Sequence, residues 1–258
     1  MKWHRIWSVF VDRPFSLGET LNSRFHIVNR LGQGSYGISY CAYDGFLKKH
    51  VVIKQVRKSR LHKNIGKENL KWEIEILKLM DHKEIPKYIE SFEYKGFVCH
   101  VIEYVEGRDF EELIFQNGKE FLEKQVIRFS FQLFEILYYV NKRDVVHRDL
   151  RLPNVLLKDN GRISLIDFGL ARLINGDEFE GHPVTVQTDF EFLGHFILFL
   201  LYSAYREESG VEKPWYEELD IGDKGKEMLK RLLGITEKYA SWEDLRIDME
   251  KWDKSISG

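Results

Sequence analysis

The sequence is poor in cysteine and proline and has no long apolar run, and each scarcity removes a class of protein. Its two cysteines, Cys41 and Cys99, stand alone and not in a CxxC pair. A disulfide framework or a thiolate metal site is therefore not expected, and the reducing cytoplasm is the compartment that fits. Five prolines, no internal repeat and no low-complexity stretch argue against domains strung on flexible linkers. The most apolar stretch, Phe192 to Tyr202, contains Gly194 and His195. It falls well short of the ~20 apolar residues that a membrane-spanning helix needs and is expected to be a buried helix. The N-terminus interleaves Lys2, His4 and Arg5 with tryptophans and builds no secretory apolar core. An excess of one charge sign is also missing. A formal net charge of −2 gives no general pull towards nucleic acid or anionic lipid, so no nucleic-acid binding is expected.

What is present is an ordinary globular composition, 43% hydrophobic and 31% charged, in 258 residues. That length suits one large domain or two small lobes around a cleft. The first half has strand character. Phe25 to Leu31 and Val51 to Lys54 are β-branched runs on either side of a glycine-rich turn, Gly32 to Gly37. From Glu68 to Met80 the period changes, and Leu70, Ile74, Leu77 and Leu79 make the apolar stripe of a helix. Phe97 to Val105 returns to strand. The second half is mainly helical: Lys124 to Asn141, Phe190 to Ala204 and Lys224 to Leu233 have apolar patterns, while Asp159-Asn160-Gly161 marks a hairpin between Val155–Leu157 and Ile163–Ile166.

The chemistry is carried by a few short segments. Gly32-Gln33-Gly34-Ser35-Tyr36-Gly37 is a weak signal alone, since such a run is often only a tight turn or belongs to a dinucleotide fold. Here Ile38, Ser39 and Tyr40 continue as a strand, not a helix, and Lys54 follows on the next strand, within reach of a phosphate. A lone strand lysine is commonly just half-buried, and a helix glutamate such as Glu73 commonly faces solvent. Paired, they make sense together, because a lysine that faces a nucleotide needs a fixed counter-charge. The decisive segment is His147-Arg148-Asp149-Leu150-Arg151-Leu152-Pro153-Asn154, followed by Asp167-Phe168-Gly169. Phosphoryl transfer needs hard oxygen ligands for Mg²⁺ and a carboxylate that orients the attacking hydroxyl, and these segments supply both.

These motifs resemble the HRDxxxxN and DFG signatures of the eukaryotic-type protein kinase family, and the likeness extends from about Arg24 to Leu233. Within that family the chain is most similar to small, stand-alone, soluble bacterial serine/threonine kinases. The resemblance implies an α+β, two-lobed fold: residues 24–104 as an antiparallel-sheet lobe with one helix, residues 105–258 as a small, mainly helical lobe with a shortened activation segment. Residues 1–23 are an extension. It implies ATP and Mg²⁺ (or Mn²⁺) as cofactors and a protein as substrate. By position, Lys54 matches the phosphate lysine and Glu73 its partner, Asp149 the catalytic base, and Asn154 and Asp167 the metal ligands. Gly32, Gln33, Gly34 and Gly37 match the phosphate loop. Ile102 matches the gatekeeper, Glu103 to Val105 the adenine-binding hinge, Asp109 the ribose carboxylate, and Leu156 a further nucleotide contact. Asp189 resembles the aspartate that braces the catalytic loop through backbone N–H groups.

The chain departs from that pattern in four places. Ser39 and Val52 replace the usual valine and alanine around adenine, which reads either as an exchange of volume or as unrelated drift. Arg151 stands where the catalytic-loop lysine is usual; its guanidinium also reaches a phosphate. The segment between Gly169 and Asp189 is short and lacks Ala-Pro-Glu. Its hydroxyls, Thr185 and Thr188, read as loop or N-cap residues, and Asp177, Glu178 or Glu180 is available as a permanent partner for Arg148. Finally, after Ala204 an acidic stretch from Arg206 to Lys213 leads into an abbreviated C-terminal part. In the extension, Trp3, Ile6, Trp7 and Phe10 have helical spacing, expected to pack on the chain's own small lobe in preference to a membrane surface or a partner. Three readings follow: a protein kinase, a small-molecule kinase of the same fold, or a partner-binding pseudokinase. The last predicts loss of Lys54, Asp149 or Asp167, and all three are present.

Overall fold

The structure is a computed structural model, and it describes residues 12–34, 37–58, 64–174, 178–179, 182–206, 210 and 213–257; for 64–71, 178–179, 182–183 and 257 it describes the backbone alone. The stripe of Trp3, Ile6, Trp7 and Phe10, the loop residues Ser35 and Tyr36, the acidic residues Asp177 and Glu180, the side chains of Leu70 and Glu178, and most of the acidic stretch after Arg206 therefore lie outside the described residues. The chain divides into two compact units, Met1–Val105 and Glu106–Gly258.

The first unit is a six-stranded antiparallel sheet built from β1 (Thr20–Leu21), β2 (Phe25–Gln33), β3 (Gly37–Asp44), β4 (Lys49–Val56), β5 (Tyr88–Tyr94) and β6 (Phe97–Glu103), in the order β1-β2-β3-β4-β6-β5. Period-2 alternation sorts its residues between two faces. Tyr40 pairs with Ile53, Ala42 with Val51 and Ile53 with Val101, so these residues share one face. That face forms the core with Phe15, Phe25, Ile27 and Phe97. Each of the larger apolar side chains among them, such as Phe25, Ile27 and Ile53, contributes about 1.5–3 kcal/mol by its burial. The buried Tyr40 hydroxyl is satisfied by Gln55 Oε1 at 2.8 Å and by the Phe15 amide at 3.0 Å. The opposite face carries Ser39, Val52, Lys54 and Ile102. Strand β5 was not evident in the sequence, because Glu90, Ser91 and Glu93 give it a polar pattern and it lies at the sheet edge.

Helix α1 (Asn64–Leu79) completes this unit. Its buried stripe differs from the expected one: Glu73, Ile76, Leu77 and Met80 are buried, while Leu79 is 51% exposed. These positions follow the i, i+3, i+4, i+7 rule with a carboxylate at its head.

The second unit is mainly helical. Helix α2 (Glu123–Asn141) buries Val126, Ile127, Leu133, Phe134, Leu137 and Val140 on more than one side. Around it run short strands β7 (Arg108–Asp109), β8 (Val145–Val146), β9 (Val155–Leu157), β10 (Ile163–Leu165) and β11 (Arg172–Leu173), then β12 (Glu178–Phe179) and β13 (His182–Pro183). Helices α3 (Gln187–Tyr202), α4 (Trp215–Glu218), α5 (Asp223–Leu232) and α6 (Trp242–Ser257) follow. The hairpin at Asp159–Gly161 forms as expected, with Leu157 opposite Ile163 and Gly161 at φ +75°. Helix α6 was missed, although Ser241 caps it by accepting the Asp244 amide at 3.1 Å. Its apolar Trp242, Leu245, Met249 and Trp252 are buried. Trp252 packs so closely on α5 that a Cβ at Gly225 would lie 2.6 Å from its Nε1.

Candidate active site

The expected site residues divide between the units. In the first, the strand register collects them on one face: Ser39 faces Lys54 across β3–β4, Lys54 faces His100 across β4–β6, and Val52 faces Ile102. Glu73 of α1 forms an ion pair with Lys54, and both side chains are largely shielded from solvent. Gln33 is opposite Ile38 where β2 and β3 meet, and Glu103 closes β6 by donating its amide to the Lys87 carbonyl at 2.8 Å. The glycines of the loop serve different ends. A Cβ at Gly37 would meet the Gln55 carbonyl oxygen at 2.9 Å, so close strand packing demands glycine there. At Gly32 and Gly34 a Cβ would meet no described atom within 4 Å and φ is not positive, so nothing within the unit demands glycine. Without a Cβ, the backbone at both positions stays open to close approach.

His100, which the sequence gave no reason to single out, is 3% exposed beside Lys54. Its Nδ1 is 2.7 Å from Ser91 Oγ, which is 2.8 Å from the Tyr88 hydroxyl, while its Nε2 is buried with no hydrogen-bond partner among the described residues. Burial, and secondarily the charge of Lys54, pushes its pKa down to about 4. An unfolded histidine titrates near 6.5, so the unfolded chain takes up the proton first and stability falls as pH drops from about 6.5 towards 4. A depression of this size corresponds to roughly 3 kcal/mol at the acid end. His100→Leu removes both the orphaned nitrogen and this linkage. Its melting temperature at pH 7 is expected to equal or exceed the wild type's, and its advantage to widen by pH 4.5. Parallel melting curves at the two pH values would contradict this.

In the second unit the catalytic-loop residues converge. Asn154 is buried, and its Nδ2 donates to the Asp149 carbonyl at 2.7 Å and to Asp149 Oδ2 at 3.0 Å. Its amide oxygen is thereby turned away from Asp149, available as a hard ligand. Arg151 Nε lies 2.8 Å from Asp149 Oδ1. The Asp149 pKa is raised, chiefly by burial and also by Asp167, against the lowering effects of Arg151 and Asn154. The Ile166 amide donates to the Asn154 carbonyl at 2.9 Å, tying the strand before Asp167 to this loop. Asp167 stands at φ +66° and its Oδ1 accepts the Gly169 amide at 3.3 Å. Phe168 is fully buried against the His147 ring, 4.7 Å between centroids. Asn154 and Asp167 fit a Mg²⁺ ion, which keeps water and phosphate oxygens and needs only one or two protein ligands.

Asp189 braces this loop in the way expected of it. It is completely buried, and its carboxylate accepts the amides of His147 at 2.9 Å and Arg148 at 2.8 Å. Burial pushes its pKa up to about 6 even though the two amides and Arg148 act to lower it. Because Asp189 reaches outward, it does not cap its own helix: α3 begins at Gln187, Val186 is the N-cap residue without a side-chain bond, and Thr188 lies inside the first turn instead of preceding the helix. Arg148 has φ +65°, and its Nη1 donates to the Leu170 carbonyl at 3.4 Å. On β7, Asp109 Oδ1 accepts the Glu112 amide at 2.8 Å and so caps the turn that follows. Leu156, its partner on β9, lies half-buried.

Residues 25–193 match the family model for the protein kinase domain. The "Probable serine/threonine-protein kinase YbdM" of Bacillus subtilis (strain 168) is 37% identical over 246 residues, which is 95% of this chain and 96% of that protein. NUAK family SNF1-like kinase 1 of Mus musculus is 33% identical over 62% of this chain and 24% of its own length. MAP3K epsilon protein kinase 2 of Arabidopsis thaliana is 34% identical over 66% of this chain and 12% of its own. No described helix is long and apolar enough to cross a membrane.

Proposed function

This chain belongs to the protein kinase family, and from that premise we propose that it transfers the γ-phosphoryl group of ATP, with Mg²⁺, to serine or threonine hydroxyls of a protein. The observation that carries the reading is the double donation from Asn154 Nδ2 to Asp149. It fixes the carboxylate through the amide nitrogen and turns the amide oxygen outward, one group suited to orient a hydroxyl and the other to hold a cation. In the proposed mechanism Asp149 accepts a hydrogen bond from the attacking hydroxyl and takes its proton as the new phosphorus–oxygen bond forms and the γ-phosphorus parts from the bridging oxygen, which leaves on ADP; its raised pKa favours that uptake. Arg151, bonded to the same carboxylate, and Lys54, held by Glu73, act as donors to phosphate oxygens. Asn154 and Asp167 would hold Mg²⁺, which neutralises charge on the phosphates. In the first unit, backbone groups of Glu103 to Val105 would bind adenine beside Ile102, Ser39 and Val52; in the second, Leu156 would add a nucleotide contact and the second oxygen of Asp109 would bind the ribose. Gly32, Gln33, Gly34 and Gly37 would cover the phosphates.

The test is to incubate the folded protein with Mg²⁺, γ-labelled ATP and a cell lysate, then identify labelled amino acids. Label on serine or threonine supports the reading. Label confined to small molecules would replace it with the small-molecule kinase reading, and label on tyrosine would correct the residue preference. No transfer with either Mg²⁺ or Mn²⁺ would leave a nucleotide-binding scaffold.

Ser39 and Val52 lie on the same face of adjacent strands, one diagonal step apart, as an exchange of volume requires. Ser39→Val alone is expected to weaken ATP binding, and Ser39→Val with Val52→Ala to restore it. A double-mutant cycle on ATP affinity measures the coupling; strict additivity would mean the two differences are unrelated.

A further inference from the structure

A cavity of about 340 Å³ opens in the second unit among residues to which the proposed mechanism gives no part. The ladder between β7 and β9 shows why it is separate. Arg108 pairs with Leu157 and Asp109 with Leu156, and successive strand residues point to opposite faces. Asp109 and Leu156 therefore share one face, while Arg108 and Leu157 share the other and line the cavity.

Its wall has a marked charge. Arg108, Lys119, Arg128 and Lys158 contribute four cations against one carboxylate, Asp159. In a chain with a formal net charge of −2, this local excess is opposite in sign to the whole. Arg108, Lys119 and Arg128 have no carboxylate partner among the described residues. Arg128 packs over the β9–β10 turn, where a Cβ on Gly161 would lie 3.3 Å from its Nη2. Between the cations the floor is apolar, formed by the buried Phe129 together with Leu157. The larger cavity of this unit, about 900 Å³, is lined by four cations and four carboxylates and has no such preference.

We propose that this cavity is a docking point for an acidic segment of the protein substrate, with carboxylates meeting Arg108, Lys119 and Arg128 and an apolar side chain on the Phe129–Leu157 floor. The inference rests on the protein-kinase reading above. A free anion satisfies the cations but leaves the floor in contact with water; a peptide satisfies both. The sequence also gives the docking a purpose. The short stretch from Leu170 to Thr188 lacks the Ala-Pro-Glu segment, so holding the substrate elsewhere raises the effective concentration of its hydroxyl at Asp149.

The experiment compares two peptides with the same single serine, one with a tail of glutamates around a leucine, the other with lysines in place of the glutamates. Both are fluorescently labelled, so that binding is read by anisotropy and transfer by phosphate incorporation. With the full chain, the acidic tail is expected to lower KM about tenfold relative to the basic tail, and the gain to shrink with added salt. In Lys119→Glu with Arg128→Glu the preference should vanish or invert, while kcat, the KM for ATP and the melting temperature stay at wild-type values. Equal KM for the two tails, or a preference that survives the double charge reversal, overturns the docking point. So does inorganic phosphate that displaces the acidic peptide at equal concentration, since the cavity is then a small-anion site. Peptide binding with no transfer to either serine instead removes the kinase reading, and with it a substrate's place in the cavity.

Discussion

Asp167→Asn is expected to slow phosphoryl transfer about a thousandfold, equivalent to roughly 4 kcal/mol of transition-state stabilisation, while leaving the fold intact. The two halves of this expectation have separate causes. Asp167 occupies the left-handed region at φ +66°, a conformation that costs most residues 1–2 kcal/mol but that asparagine tolerates almost as aspartate does. Its Oδ1 also accepts the Gly169 amide, a bond that the asparagine oxygen can keep. Backbone and melting temperature should thus hold. What goes is the negative charge: the neutral amide of Asn154 would then be joined only by a second neutral amide, and a ligand pair without an anion holds a divalent cation far more weakly. Lys54→Ala would slow transfer too, but less cleanly, since it leaves the buried carboxylate of Glu73 without its ion-pair partner. Initial rates at saturating Mg-ATP, with melting curves beside them, decide the matter. A turnover near the wild-type value in a folded Asp167→Asn protein would take Asp167 out of the metal role.

The parts of the site that were legible in the sequence are those whose chemistry lies in contiguous residues. The segments His147–Asn154 and Asp167–Gly169 are short, and their backbone geometry, with left-handed Arg148 and Asp167, is local to them. The link between Lys54 and Glu73 is not local, yet it could be expected because a lysine strand followed by an amphipathic helix has few ways to satisfy its charge. His100 was hidden for the opposite reason. Its surroundings depend on β5, whose Glu90, Ser91 and Glu93 disguise an edge strand, and without β5 there is no Ser91 to orient the ring. Asp109 shows the ambiguity of a single carboxylate: in the structure one of its oxygens is already engaged in capping. The basic cavity was equally invisible. Its four cations are scattered from Arg108 to Lys158 and meet only because β7 pairs with β9 and α2 packs behind them. Helix α6 had a visible capping pattern and apolar spacing, and was missed because the family motifs end before it.

Replacing Asp189 tests how the fold enforces the chemistry. Asp189→Ala is expected to destabilise the protein by about 3–5 kcal/mol and to lower kcat at least about a hundredfold, although Asp189 touches no reacting atom. The carboxylate is completely buried and takes both the His147 and Arg148 amides. Alanine leaves two amides without partners, each costing roughly 1–3 kcal/mol. It also removes the contact that holds Arg148, a non-glycine residue, at φ +65°. That strained position immediately precedes Asp149, so relaxation there redirects the carboxylate that Asn154 and Arg151 hold. Asp189→Asn separates shape from charge. Its oxygen can accept one of the amides, but its NH₂ then confronts the other donor, so the loss should be smaller than for alanine and still clear. Thermal melts rank the three proteins by stability. Single-turnover rates, measured well below the lower melting temperature, show whether the correctly folded fraction is itself slow. If Asp189→Ala melts like the wild type and turns over at the same rate, the loop keeps its geometry unaided, and the buried carboxylate is only a consequence of packing.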